Sequence, residues 1–377
     1  MHMVIGIDGN EANVAQRVGV NTYAWEILKN LQKLQEVRSG EHNLIVYLKE
    51  KPLKDMPKET GNFKYKIIPG GNFWIITKLM PYLWKNPDRI EILFSPSHYT
   101  APFLLFPRIC SIMDLGYLKF SGQFTKKVFW QLKWWSAISI FVSKYIISIS
   151  ESTKKNIVRH YPFSERKVYV TYPGYDSRKF NTNISPENVR RAKEKYHIVD
   201  DYILSLGTLK PSKNIEGLME AFSTLNDKKV NAKLVIAGKR GWLFESIYKK
   251  FESLRLSDNV IFTGFVSDKD KPALIAGAKV YAIPSFWEGF GLDVLSAMAV
   301  GTPVVAANAG SLPEVAGNAG ILVDPDDPKN IAKGIDEVLS ANRKKYNRIV
   351  AAGLLRVKDF SWEKCARETL EIITNER

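Results

Sequence analysis

Two short segments carry residue types and spacings that could do chemistry. The first is Pro284-Ser285-Phe286-Trp287-Glu288-Gly289-Phe290-Gly291-Leu292, placed between an apolar run and a helical pattern. Its glycines let backbone approach a ligand closely, and the helix start that follows offers N–H groups with partial positive charge. With Glu288 alongside, this suits a phosphate or a set of sugar hydroxyls, although a plain strand-to-helix turn has the same spacing. The second segment, Leu206-Gly207-Thr208-Leu209-Lys210-Pro211-Ser212-Lys213-Asn214, also joins an apolar run to a helical pattern. It puts Lys213 at a helix N-terminus, where it would neutralise a phosphate, although most lysines are merely solvated. Neither G-x-x-x-x-G-K-[ST] nor G-x-G-x-x-G occurs, which argues against kinase-like and dinucleotide chemistry.

The elements that must position these segments follow from periodicity. Strand and helix patterns alternate nearly throughout, as in parallel sheets covered on both faces. Strands are expected at Val4–Asp8, Leu44–Leu48, Tyr65–Ile68, Ile92–Phe94, Ile109–Met113, Tyr145–Ser150 and Val168–Thr171. Val20, Ala24, Ile27, Leu28, Leu31 and Leu34 recur at helical spacing, and Ser150 or Ser152 can cap a helix. After Pro173-Gly174 the polar stretch Asp176 to Glu194 reads as a connection. The alternation then restarts, with strands at Tyr202–Leu206, Lys233–Ala237, Val260–Thr263, Val280–Ile283, Pro303–Ala306 and Gly320–Val323. Two restarts predict two doubly wound α/β domains, 1–180 and 181–361, with ligands at the carboxyl ends of the strands.

Composition narrows the class. The chain has 377 residues, 45% hydrophobic and 12% aromatic, enough for a sizeable core. Residues 1–180 hold 26 Lys+Arg against 14 Asp+Glu, whereas the remainder is nearly balanced at +3. A basic half with six of the nine tryptophans suits an anionic membrane surface, nucleic acid, or simply a solvated lysine-rich face. Cys110 and Cys365 lie far apart, giving no metal cluster or disulfide framework and fitting a reducing compartment. Met1-His2-Met3 leads straight into Val4-Ile5-Gly6-Ile7, so no secretory signal is expected. The apolar stretch Ala137 to Ser150 is too short to span a bilayer. A soluble, cytoplasmic protein is the expectation.

The two segments, with Gly264-Phe265-Val266, Gly301-Thr302-Pro303-Val304-Val305, Ser311-Leu312-Pro313-Glu314-Val315 and Val323-Asp324-Pro325, make the whole chain resemble the retaining GT-B glycosyltransferases of family four, the group 1 glycosyltransferases. The resemblance implies two Rossmann-like domains facing a cleft, with a nucleotide-diphosphate sugar bound mainly by the C-terminal one and a C-terminal helix, 362–377, crossing back to the first. By position, Lys213 would hold the diphosphate and Glu288 the sugar hydroxyls. Gly289 belongs to the same loop, and Phe290, Gly291 and Leu292 would offer backbone N–H groups. Val266 would lie near the base, Glu314 near the ribose, and Gly19-Val20 would close over the diphosphate. No metal or other cofactor is implied, because lysine and backbone dipoles balance the leaving-group charge. Asp324-Pro325-Asp326 matches a late loop of the family and reads as structural.

The sequence departs from the family at three places. The family's second glutamate is Ser296 here, and Asp293, on the same helix face, is a candidate substitute or simply an acidic residue favoured at a helix start. Met113 replaces a histidine, leaving His98, after the preceding strand, as the candidate near the reacting sugar or as a structural histidine. Thr208 replaces an arginine. The resemblance therefore implies hexosyl transfer, of mannose or glucose type, to a glycan or lipid-linked acceptor. A catalytically weak relative that binds glycan or partners a true transferase is the alternative; a sugar-nucleotide epimerase and a nucleic-acid binder rank below both. The run Lys126-Lys127-Val128-Phe129-Trp130-Gln131-Leu132-Lys133-Trp134-Trp135 is expected to be a helix. Val128, Leu132 and Trp135 should turn to the core, and the lysines to an anionic membrane.

Overall fold

The computed structural model describes residues 2–227 and 232–375. Among these residues, thirteen strands form two wholly parallel sheets. The first contains β1 (Met3–Asp8), β2 (His42–Leu48), β3 (Phe63–Ile67), β4 (Ile92–Ser95), β5 (Arg108–Ile112), β6 (Tyr145–Ser148) and β7 (Val168–Val170), in the order β3-β2-β1-β4-β5-β6-β7. The second contains β8 (Tyr202–Leu206), β9 (Lys233–Ala237), β10 (Val260–Gly264), β11 (Val280–Ile283), β12 (Val304–Ala307) and β13 (Ile321–Val323), in the order β10-β9-β8-β11-β12-β13. Each order reverses direction once, between β1 and β4 and between β8 and β11. Loops leaving the two strands at such a point diverge to opposite faces and open a crevice at the carboxyl ends.

Chain packing divides the molecule into two units. One comprises Met1–Leu118, Lys126–Gly174 and Ser361–Arg377; the other comprises Lys119–Thr125 and Tyr175–Phe360. The division thus falls at Gly174/Tyr175 rather than at residue 180, and a short piece of the first half groups with the second unit. The supposed connection Asp176 to Glu194 contains a capped helix, Pro186–Lys195, with only Ala192 buried. Its few apolar residues reflect a surface helix stitched by Arg190–Glu194 and Arg191–Glu187 ion pairs at i,i+4, not an unstructured tether.

Within the first unit, the helix Trp362–Thr374 packs against the helix Val20–Leu31. Trp362, Cys365, Leu370, Ile372 and Ile373 supply its buried face. The strand expected through Ser150 stops at Ser148, because Ser150 turns to accept from Thr153 N and caps the helix Glu151–His160. Cys110 and Cys365 are free and buried. Among the described residues no helix is long and apolar enough to cross a membrane.

The helix Lys126–Val142 corrects the sequence reading of its faces. Its buried seam is Ser136, Ser139 and Ile140. Val128, expected in the core, is exposed, and Leu132 and Trp135 are only half-buried. Seryl side chains let the helix lie close to the sheet, where Ser139 Oγ accepts from Thr100 N at 3.3 Å. The bulky residues are thereby left outside.

Candidate functional site

In the second unit, the loops after β8 and β11 meet at the switch point. The β8 loop ends in a short turn, Pro211–Lys213, and then Asn214. Asn214 is buried: its Nδ2 donates to the carbonyls of Pro284, at 3.1 Å, and Pro325, at 2.7 Å, while its Oδ1 accepts from Gly217 N. Phe286 N also donates to Ser212 O at 2.9 Å. These bonds tie the β8 loop to the β11 loop and set one side chain from each face to face. Lys213 Nζ and Glu288 Oε1 lie 2.5 Å apart, with both side chains about one-sixth exposed. The pair joins a cation able to neutralise a diphosphate to a carboxylate able to accept from hydroxyls.

Glu288 is held by its backbone. Its carbonyl accepts from Ser311 Oγ at 2.9 Å and from Ser311 N at 3.3 Å. Just before it in the same loop, Ser285 Oγ and Trp287 Nε1 are buried without a hydrogen-bond partner. Unpaired buried polar atoms are costly, which singles out this loop. The helix Leu292–Ala299 begins just beyond, after Gly291, with no side chain capping it. Phe290 turns its ring into the core against Phe360. Gly289 lies in the same half-buried loop.

The remaining predicted residues of this unit surround the pair. Ser296 is buried and its Oγ donates to the Leu292 carbonyl in its own helix, so its proton is used within the helix. Asp293 Oδ1 is 2.5 Å from Lys271 Nζ. Burial opposes the charge on Lys271, but the Asp293 carboxylate outweighs it and holds the lysine above its ordinary pKa. Thr208 is half-buried in the β8 loop. Val266 follows β10, two strands from β8, and Glu314 sits on the helix Leu312–Ala316 after β12, the neighbour of β11. Arg356 Nη2 fixes that helix by donating to the Glu314 carbonyl. Sequence reading missed Asn214, Ser311 and Lys271; the only local signal was the position of Asn214 between a turn and a helix.

The first unit has its own switch-point crevice between β1 and β4. Gly19 precedes the helix Val20–Leu31, which no side chain caps. His98 follows β4, its ring 3.9 Å from that of Tyr99. Its Nε2 is buried without a partner, and burial pushes its pKa down to about 4, so the imidazole is neutral. Four polar residues to which the sequence reading gave no role gather at the end of β1 and just beyond it. Asp8 Oδ1 accepts from Asn10 N and Nδ2, and Glu11 Oε2 accepts from Asn21 Nδ2 at 2.7 Å. Burial raises Asp8 to about 6, against the lowering effect of the Asn10 bonds, and also raises Glu11. Met113 leaves its carbonyl to Thr153 Oγ1 and brings no polar side chain. Among the described residues no group of three His, Cys, Asp or Glu side chains could hold a metal ion.

Two doubly wound parallel units, each reversing its strand order once, are the GT-B architecture. Residues 188–356 match the family described as glycosyl transferases group 1. It is 34% identical over 235 residues to O-antigen chain mannosyltransferase B of Escherichia coli, covering 62% of this chain and 61% of that protein. It is 26% identical over 261 residues to O-antigen chain mannosyltransferase RfbU of Salmonella typhimurium, covering 69% of each. Among solved structures, Anabaena HepE in complex with UDP-glucose shares the fold with a TM-score of 0.76, at 16% identity and over 99% of this chain and 100% of that one. Sucrose-phosphate synthase from Thermosynechococcus elongatus does so at 0.74, with 18% identity and 99% of both chains covered.

Proposed function

We propose that this protein is a retaining, metal-independent glycosyltransferase that moves a hexose, of mannose or glucose type, from a nucleotide-diphosphate sugar to a glycan or lipid-linked acceptor at an anionic membrane. The observation that carries the reading is the 2.5 Å Lys213–Glu288 pair at the β8/β11 switch point. Lys213 binds the diphosphate and Glu288 the donor sugar's hydroxyls, aided by backbone N–H groups at Gly289–Leu292. The similarity to O-antigen mannosyltransferases supports mannose and polysaccharide assembly.

In this mechanism the bond from the anomeric carbon to the diphosphate breaks while the acceptor oxygen bonds to that carbon on the same face. The acceptor's proton passes to the departing phosphate oxygen, so no protein nucleophile is required. Positive charge at Lys213 and the uncapped helix start stabilises the leaving group as its charge develops, which is where preorganised dipoles lower a barrier most. Asp293, anchored by Lys271, takes the ribose-side role that Ser296 cannot fill, Glu314 flanks that side, and Val266 meets the base. Thr208 lies along the phosphates. For the first unit, the resemblance assigns Gly19 and Val20 to the diphosphate and the neutral His98 to the reacting sugar.

The test is thermal stabilisation by uridine, guanosine and adenosine diphosphates. A ligand at one hundred times its Kd stabilises by about 2.7 kcal/mol. We expect one nucleotide to stabilise the wild type, Lys213→Ala to abolish the effect, and Asp293→Ala to weaken it. If no nucleotide stabilises the wild type, the donor site is refuted and the glycan-binding alternative takes its place. Binding with no sugar transferred or hydrolysed from any donor would favour the same alternative, which Ser296, Met113 and Thr208 already suggest.

A further inference from the structure

The helix Lys126–Val142 is apolar on the wrong side for a soluble fold. Trp130, Trp134, Ile138 and Phe141 recur at i, i+4, i+8 and i+11, a single helical stripe, and they are 48%, 62%, 38% and 72% exposed. The opposite face buries Ser136, Ser139 and Ile140. The stripe is ordered: Trp130 and Trp134 stack with ring centroids 6.4 Å apart, and Phe141 meets the exposed Phe163 edge-on at 5.9 Å. Lys167 Nζ donates to the carbonyls of Ile140, Phe141 and Ser143, fixing the helix end with Phe141 outward. Large contiguous apolar surface mostly marks a binding surface.

Charge identifies what covers it. From Leu115 to Ser150 the chain carries five lysines and no Asp or Glu. Lys126 and Lys127 are exposed in the first turn of the helix. Lys133 Nζ lies 4.8 Å above the Trp130 ring, so its stem runs along the aromatic stripe. A second copy of this face would bring lysine against lysine with no carboxylate in the run to compensate. A bilayer with anionic headgroups offers the complement to both parts: phosphates for the lysines and acyl boundary for tryptophan and phenylalanine.

We propose that this helix is the docking surface for an anionic lipid bilayer, lying in the interface with Trp130, Trp134, Ile138 and Phe141 inserted. This deepens the reading of an acceptor at a membrane, but it stands on surface observations that the Lys213–Glu288 pair does not share. The experiment is co-sedimentation of the full chain with vesicles of phosphatidylglycerol and phosphatidylcholine, against phosphatidylcholine alone, at low and high salt. The wild type should bind the anionic vesicles, release at high salt, and show a blue shift of tryptophan emission. Lys126→Glu/Lys127→Glu/Lys133→Glu should bind roughly a hundredfold more weakly or worse, since each lysine near such a surface is worth about a factor of five. Trp134→Ser/Phe141→Ser should lose the blue shift. Both variants should keep the wild-type nucleotide response, which shows that they fold and reads the donor site separately. The proposal is overturned if the wild type ignores anionic vesicles at low salt, if both variants bind as it does, or if the wild type is a dimer that Trp134→Ser/Phe141→Ser converts to monomer.

Discussion

Individual side chains at the two switch points owe their chemistry to burial more than to their neighbours in sequence. Asp8 and His98 show this with opposite signs. Asp8 is raised from 3.8 to about 6, so between these values the folded chain holds a proton that the unfolded chain has lost. Stability from Asp8 therefore falls as pH rises from about 4 to 6 and stays reduced above, by about 3 kcal/mol at 1.36 kcal/mol per pKa unit. His98 is lowered from 6.5 to about 4, so the unfolded chain takes up a proton first, and acidification through that window costs a similar amount. The two effects largely cancel in the wild type. Asp8→Asn keeps an oxygen for the Asn10 N–H groups yet removes the buried charge. It should raise Tm at pH 7 and leave a Tm that drops as pH is lowered from 6.5 to 4, measured by scanning calorimetry. An unchanged pH profile in that variant would show that Asp8 is not perturbed by burial.

At the scale of elements, the site depends on backbone approach as much as on side chains. Gly310, at φ +59°, sits so close to Glu288 that an added Cβ would fall 2.9 Å from its carbonyl oxygen and 3.0 Å from its nitrogen. Gly301, at φ +85°, shares the left-handed backbone, but there a Cβ would meet only Val350 Cγ1 at an ordinary 3.5 Å. Alanine at either position incurs about 1–2 kcal/mol of backbone strain. Only Gly310→Ala must also displace the backbone of Glu288. Gly310→Ala should therefore abolish nucleotide-dependent stabilisation while Gly301→Ala keeps it, both at a lowered Tm. Equal nucleotide responses in the two variants would separate the loop from ligand binding.

For the molecule as a whole, the chain returns at its end to complete the unit it began. Ser361–Arg377 belongs to the first unit, and Gly174 lies so close to this segment that a Cβ would overlap Trp362 N at 2.1 Å. Leu370, Ile372 and Ile373 are at most 4% exposed. Each such side chain stabilises by about 1.5–3 kcal/mol, and together they approach the whole stability of a typical domain. A chain ending at Phe360 should lose the cooperative melting of the first unit in calorimetry, and Leu370→Ala alone should cost about 2–4 kcal/mol. A truncated chain that melts like the full one would show that the helix is an appendage.

The sequence by itself determined the alternation of strand and helix, the thirteen strands to within one or two residues, and the two loops that could hold a phosphate. These are local properties: period-2 and period-3.6 apolar patterns, with glycine and proline punctuation, act over a few residues and survive transfer into any fold. Tertiary structure alone decided which strands lie side by side, and hence that Lys213 and Glu288, 75 residues apart, meet at 2.5 Å. It also recruited Asn214, Ser311 and Lys271, whose partners are distant in sequence, and it paired Asp293 with a lysine that no local spacing announces. The helix Lys126–Val142 marks the limit from the other side. Its apolar residues surround it, so periodicity could not choose the inward face, and the choice fell to the two serines that fit against the sheet. Side-chain volume at one contact, summed over a fold, is a property of the packed molecule.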